Sequence, residues 1–145
     1  MENKFRKILS IDSGASNVRS VIFDESGKTI ISNDSQEGAN ITIDCEDSTK
    51  RIISIISDTL SKSSLSYDDI SHFSLGLAGI SDDAAREMLF KRLEECKISN
   101  RTHLTSDVNP IFEMNCADNS AILVSVGTGA ICLGRNIQNN IDYII

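Results

Sequence analysis

The sequence carries a single proline, Pro110, and only 5% aromatic residues. With 40% hydrophobic and 24% charged residues beside so little proline, it reads as compact and globular, and fibrous or disordered classes are excluded. Positive charge is also scarce: 14 Lys and Arg stand against 21 Asp and Glu, a formal net charge of −7. No overall basic field exists to attract a nucleic-acid backbone, so nucleic acid is not expected as a partner. No stretch approaches the roughly 18 apolar residues that cross a membrane. The charged opening MENKFRK runs directly into a strand pattern without the apolar core of a signal peptide. A cytoplasmic protein with no membrane partner is therefore expected. Cysteine lacks grouping as well: Cys45, Cys96, Cys116 and Cys132 are far apart and none belongs to a C-x-x-C pair. That spacing argues against a zinc site, a redox couple or an iron–sulfur cluster, and predicts free thiols.

What is present is enough for one ordinary domain, which at 145 residues buries about 68–70% of its unfolded surface. FRKILSID (5–12) and NVRSVIFD (17–24) read as two strands joined by a short loop. Asp24-Glu25-Ser26-Gly27 is a turn with glycine where a positive φ is needed, and KTIIS continues as a third strand. Residues 34–47 are polar and aperiodic and read as a loop. Ile52, Ile53, Ile55, Ile56 and Leu60 then share one helical face, predicting a helix over 48–62 capped by Asp47 or Ser48. SHFSLGLA (71–78) is a strand with Phe73, Leu75 and Leu77 on one side. A second helix over 82–96 follows, with Ser81 as its expected cap. A strand near 102–105 and a short helix over 108–117 come next, with Pro110 in the first turn of that helix, where its missing amide costs little. The end of the chain is a hairpin, AILVSVG then AICLGRN, and after it IDYII.

The order βββαβαβα followed by a fresh strand pair predicts an α/β, ribonuclease-H-like lobe over 1–118 and the opening of a second such lobe over 119–145.

Two loops carry the chemistry. Asp12-Ser13-Gly14-Ala15-Ser16 joins two strands with an acid first, small residues throughout and a hydroxyl last. Such a loop brings backbone amides close to phosphate oxygens, while an acid at a strand end holds a magnesium ion through water. Taken alone it reads first as a plain hairpin turn, since Asp and Gly are common turn residues. Val126-Gly127-Thr128-Gly129-Ala130 separates two further apolar strands and offers a hydroxyl between two glycines. Hairpins of this kind in this order can clasp one nucleotide between them.

ILSIDSGASNVRSVIFD resembles the first phosphate motif of the acetate and sugar kinase, heat-shock chaperone and actin superfamily. Within it, LGLAGI (75–80), the Ser106-Asp107 step and LVSVGTGA (123–130) resemble the BadF/BadG/BcrA/BcrD ATPase family, which includes the N-acetylglucosamine kinases. The resemblance covers almost the whole chain and implies an actin-like ATPase lobe using ATP and Mg2+. It implies that Asp12 orders the magnesium, that Gly14, Ala15 and Ser16 contact phosphate, and that Gly127, Thr128 and Gly129 form the second phosphate loop. Asn40, in Gly38-Ala39-Asn40, would bind a sugar hydroxyl, and Asp107 would be the general base beside that hydroxyl. The chain departs from the family pattern at Ser13 and Ala15, where glycines are usual, and around Asn17 and Val18, where lysine or threonine is usual. It departs again at Ser106, usually asparagine, and at Ala130, usually serine. Read without the family, Asp107 is a helix cap and Asn40 a loop residue with a local side-chain bond.

The expected function is transfer of the terminal phosphate of ATP to an amino-sugar hydroxyl. The alternative is a truncated, non-catalytic lobe acting as a binding or interaction module, since the adenosine-binding glycines of the family's second lobe lie beyond the family segment matched here. In that case strand edges around Ala130–Arg135 and Ile141–Ile145 invite pairing with another chain, a homodimer included. His72 and His103 read as surface residues, and Lys50-Arg51 and Lys91-Arg92 as solvated helix faces.

Overall fold

The computed structural model describes residues 6–116, 119–127, 130–136, 138 and 141–144, the last four through their backbone. It divides into two compact units, 1–107 and 108–145.

In the first unit β1 (Lys7–Ser13), β2 (Val18–Asp24) and β3 (Thr29–Ser35) form the antiparallel meander expected from the alternating pattern. β4 (His72–Leu77) and β5 (Thr102–Thr105) join parallel to it, giving the sheet order β3-β2-β1-β4-β5. The β2–β3 turn takes the geometry read from the sequence: Gly27 has φ +82°, and the Asp24 carboxylate accepts from the amides of Ser26 and Lys28.

Strand parity separates the two faces of this sheet. Leu9 and Ile11, Val18 and Ile22, and Phe73, Leu75 and Leu77 point to one side and are buried. Helices α1 (Cys45–Lys62) and α2 (Asp83–Glu95) deliver Ile52, Ile55, Ile56 and Leu60, and Ala85, Leu89 and Leu93, to the same cluster. Ile53, expected on that face, is partly buried against it.

Three boundaries differ from expectation. α1 begins at Cys45, because Asp44 rather than Asp47 or Ser48 is its cap, accepting from Asp47 N at 3.4 Å. Ser48 and Thr49 are instead buried within the helix, and the Ser48 hydroxyl donates to Asn40 O. α2 is capped by Asp82, whose carboxylate accepts from Ala85 N at 2.8 Å, rather than by Ser81. β3 runs three residues past KTIIS because Val18 to Ser20 keep pairing with Ser35 to Asn33.

The second unit holds α3 (Asn109–Cys116) with the antiparallel strands β6 (Ala121–Val126), β7 (Ala130–Asn136) and β8 (Ile141–Ile144). Val108, Phe112 and Leu133 form its small core. Arg135 lies over the Phe112 ring, 4.9 Å from its centroid, and pairs with Glu113. β7 is the central strand, so Ala130–Arg135 is not an open edge as expected; the outer strands of this sheet are β6 and β8. The four cysteines are free thiols. No helix among the described residues is long and apolar enough to cross a membrane.

The segment between β3 and α1 is stitched to the ends of β1 and β4. Ser13 Oγ donates to Ala39 O (2.6 Å) and Ala39 N to Gly14 O (3.0 Å). Ile41 N donates to Ala78 O (3.2 Å), and Ala78 N to Ser13 O (2.8 Å). Ala39 and Ile41 are fully buried. Gly38 lies directly against the β1–β2 loop: a β-carbon there would sit 2.0 Å from the Ala15 carbonyl oxygen and 2.6 Å from Ser16 N. Both obstructing atoms are backbone and cannot swing aside. Arg51, expected on a solvated face, donates from a guanidinium nitrogen to Gly38 O at 3.1 Å and pins this segment from behind.

Two substitutions test this arrangement. Gly38→Ala should destabilise the chain by about 1–3 kcal/mol through forced displacement of the loop, with faster amide exchange at residues 13–16. Leu75→Ala, in the fully buried core, should cost about 2–5 kcal/mol in urea unfolding while leaving exchange in the loop ordered relative to global opening.

Candidate functional site at the carboxyl ends of the parallel strands

A single register row crosses all strands of the first sheet: Asp34 opposite Arg19, Arg19 opposite Asp12, Asp12 beside Gly76, and Gly76 beside Thr105. Residues paired in register share a face, so this row lies on the side opposite the hydrophobic cluster. It also lies at the carboxyl ends of the parallel strands β1, β4 and β5, where ligands of α/β sheets gather.

Asp12 is exposed at the end of β1, next to buried Ser13. One strand away, about 4.8 Å across the sheet, Gly76 presents no side chain. A β-carbon there would stand 3.6 Å from the Asp107 Cα and 3.6 Å from Ser106 O. Asp107 thus folds over the same face as Asp12, with glycine as the floor between the two acids. This juxtaposition could not be read from residues 95 positions apart without knowing that β4 lies beside β1.

Within the loop, Gly14 N donates to Asn17 O at 3.0 Å, so that amide closes the hairpin. A β-carbon at Gly14 would meet only Asn17 O, at 3.9 Å, which leaves the approach to the loop open. Ala15 and Ser16 are exposed at its tip. Asn40 lies just past the stitched Ala39. Its Oδ1 accepts from Thr42 N at 3.1 Å, the local bond that a plain loop asparagine makes, while Thr42 Oγ1 donates to Gly79 O. Gly79, with φ +83°, is required here, since a β-carbon would come within 2.6 Å of Asn40 Oδ1 and 2.8 Å of Thr42 N.

Arg19 drew no notice in the sequence because only strand pairing sets it opposite Asp12. Its Nε donates to Asp34 Oδ1 at 2.8 Å. That bond, then the Asp34 charge, with a smaller contribution from Asp12, raises its pKa above the usual guanidinium value. A cleft of about 320 Å³ opens among Asp12, Asn17, Arg19, Asp34 and Gln36.

Asp12, the Gly14–Ser16 loop, Asn40 and Asp107 all belong to the first unit. Gly127, at the end of β6, is in the second; it is exposed, with open space where a β-carbon would be. Thr128 and Gly129 lie outside the described residues. His72 and His103 are exposed, as expected.

No family model and no curated protein matches the sequence. Solved structures do. A proposed N-acetylglucosamine kinase from Chromobacterium violaceum superposes with a TM-score of 0.74 at 15% identity, over 97% of this chain and 48% of its own. YeaZ from Pseudomonas aeruginosa follows with a TM-score of 0.53 at 9% identity, over 97% and 64%. An Aquifex aeolicus member of the Ppx/GppA family has a TM-score of 0.50 at 13% identity, over 97% and 51%. The chain therefore spans between about half and two thirds of the length of these structures. At such identities the likeness speaks for architecture: the chain has the α/β, ribonuclease-H-like fold of the actin-like ATPases.

Proposed function

We propose that this chain is the phosphate-binding lobe of an ATP-dependent sugar kinase that transfers the terminal phosphate of ATP to an amino-sugar hydroxyl. The observation that carries this reading is the placement of Asp12 and Asp107 on either side of Gly76, over one face at the carboxyl ends of adjacent parallel strands. The architecture shared with a proposed N-acetylglucosamine kinase supports the substrate class.

The donor set suits magnesium. Among the described residues no group of three or more His, Cys, Asp and Glu could enclose a metal. Mg2+ is commonly held by one or two carboxylates, with waters and substrate phosphates completing its shell, and exposed Asp12 meets that need. When bound, the ion neutralises charge on the phosphates. The loop from Gly14 to Ser16 orients the phosphate chain; a phosphate-loop role for Gly127, Thr128 and Gly129 rests on their Gly-Thr-Gly pattern alone. The Asp107 carboxylate takes the proton of the attacking sugar hydroxyl as its oxygen bonds to the terminal phosphorus and the bond to the ADP oxygen breaks. Asn40 directs its amide nitrogen to a sugar hydroxyl, its Oδ1 being held by Thr42 N.

A second reading, an interaction module without catalysis, draws on β6. Ile122, Val124 and Val126 alternate along this edge strand and are 72%, 63% and 77% exposed.

Calorimetry with Mg·ATP and an ADP-release assay with N-acetylglucosamine separate the two. Asp107→Asn should keep Mg·ATP binding and lower ADP release about a hundredfold or more. Undiminished phosphotransfer by that variant would rule out the assigned base. No heat with Mg·ATP, together with concentration-dependent self-association, would favour the module.

A further inference from the structure

The two sheets differ in what their second faces carry. In the first unit, the side away from the core bears Asp12, Arg19 and Asp34, as a strand face turned to water should. In the second unit, strand pairing sets Ile122 opposite Gly134, Val124 opposite Cys132 and Val126 opposite Ala130. These six residues share the side away from Leu123 and Leu133, which cluster with Phe112 of α3. None of them is charged, and Ile122, Val124 and Val126 are all well over half exposed. The relief of this face is uneven. β6 presents three β-branched side chains in a row, while β7 beside it presents only alanine, cysteine and glycine. A β-carbon added at Gly134 would meet no atom within 4 Å. A ridge therefore lies alongside a trough, and such a surface is self-complementary. A two-fold rotation about an axis parallel to the strands lays the ridge of one copy over the trough of another, the isologous contact of symmetric dimers. Charge selects the same partner. With a formal net charge of −7, two copies repel over much of their surface and approach at least cost where no carboxylate stands.

We propose that this face of the second unit is the contact between two copies of the chain, packed sheet on sheet with β6 of each over β7 of the other. The proposal rests on the reading of β6 as an interaction surface, gives it a partner, and is independent of nucleotide binding by the first unit. Area sets the strength of the contact. Three strands about 4.8 Å apart, each six residues of about 3.4 Å, give a footprint of roughly 300 Å² per copy. That is less than half of the ~800 Å² per partner in a standard interface. The dimer is therefore weak and reversible, dissociating at about ten micromolar or above.

The test is sedimentation equilibrium at protein concentrations from about 1 to 500 µM, with thermal unfolding of each variant as a check of fold. Val124→Lys and Gly134→Val are compared with the wild type and with Ile30→Lys, a control at an exposed isoleucine of the first unit. Val124 is exposed and the space above Gly134 is open, so both changes should leave the free chain folded. Wild type and Ile30→Lys should associate reversibly and alike. Val124→Lys, which puts a charge on the ridge, and Gly134→Val, which fills the trough, should each weaken association about tenfold or more. Should Val124→Lys not fold, Val124→Thr, which adds only a hydroxyl, is held to the same direction. A wild type that stays monomeric throughout overturns the proposal, as does association that ignores both variants. Association lost in Val124→Lys but kept in Gly134→Val also overturns it: the copies then pair along the free edge of β6, and the interaction reading stands without this face. Absence of Mg·ATP binding beside association that follows the expected order removes the nucleotide reading alone.

Discussion

The absence of a side chain at Gly38 is the constraint on which the site's geometry depends. Only a glycine lets the segment after β3 lie against the Ala15 carbonyl, and only from that position can Ala39 reach Gly14 and Ser13. The same segment continues to Ala78 beyond β4 through Ile41, so one stretch of chain ties the ends of both central strands together. Arg51 on α1 holds the segment from the other side. The loop tip stays exposed while its base is fixed in a buried hydrogen-bonded network. Fixed amides around an open approach are what phosphate recognition requires.

The sheet divides its work between its faces. Leu9, Ile11, Phe73, Leu75 and Leu77 supply stability on one side with α1 and α2. Asp34, Arg19, Asp12 and Gly76 occupy the other. Alternation along each strand makes this division automatic, so the charges sit near solvent and avoid the cost of burial. Single substitutions of its exposed charges should therefore cost little in stability.

Much of the fold was legible because its elements are strongly periodic. Alternation marked β1, β2 and β4, the isoleucine stripe marked α1, and their order implied the sheet. Boundaries were harder. Asp44, Asp47 and Ser48 are all competent caps, and the choice fell to Asp44 because Ser48 and Thr49 turn into the core. The candidate site was legible where its residues fall in one stretch, as in Asp12 to Ser16. It was not legible where partners come from distant positions. Gly38 was noticed as the start of Gly38-Ala39-Asn40 but not as the glycine that must lie against the Ala15 carbonyl, and Arg51 beside Lys50 looked like a solvated cation. Arg19 looked like the polar half of an alternating strand, and only pairing showed what it faced.

That pairing gives the charged row a further consequence, during assembly rather than in the finished molecule. If β2 docked one residue out of step with β1, parity would turn Arg19 and Asp34 toward the helices and Val18 and Ile22 toward water. A guanidinium and a carboxylate would then enter the space that Ile52, Ile55 and Phe73 fill. Misaligned hairpins are thus penalised by these same charged residues, and the row serves as a proofreader of strand alignment.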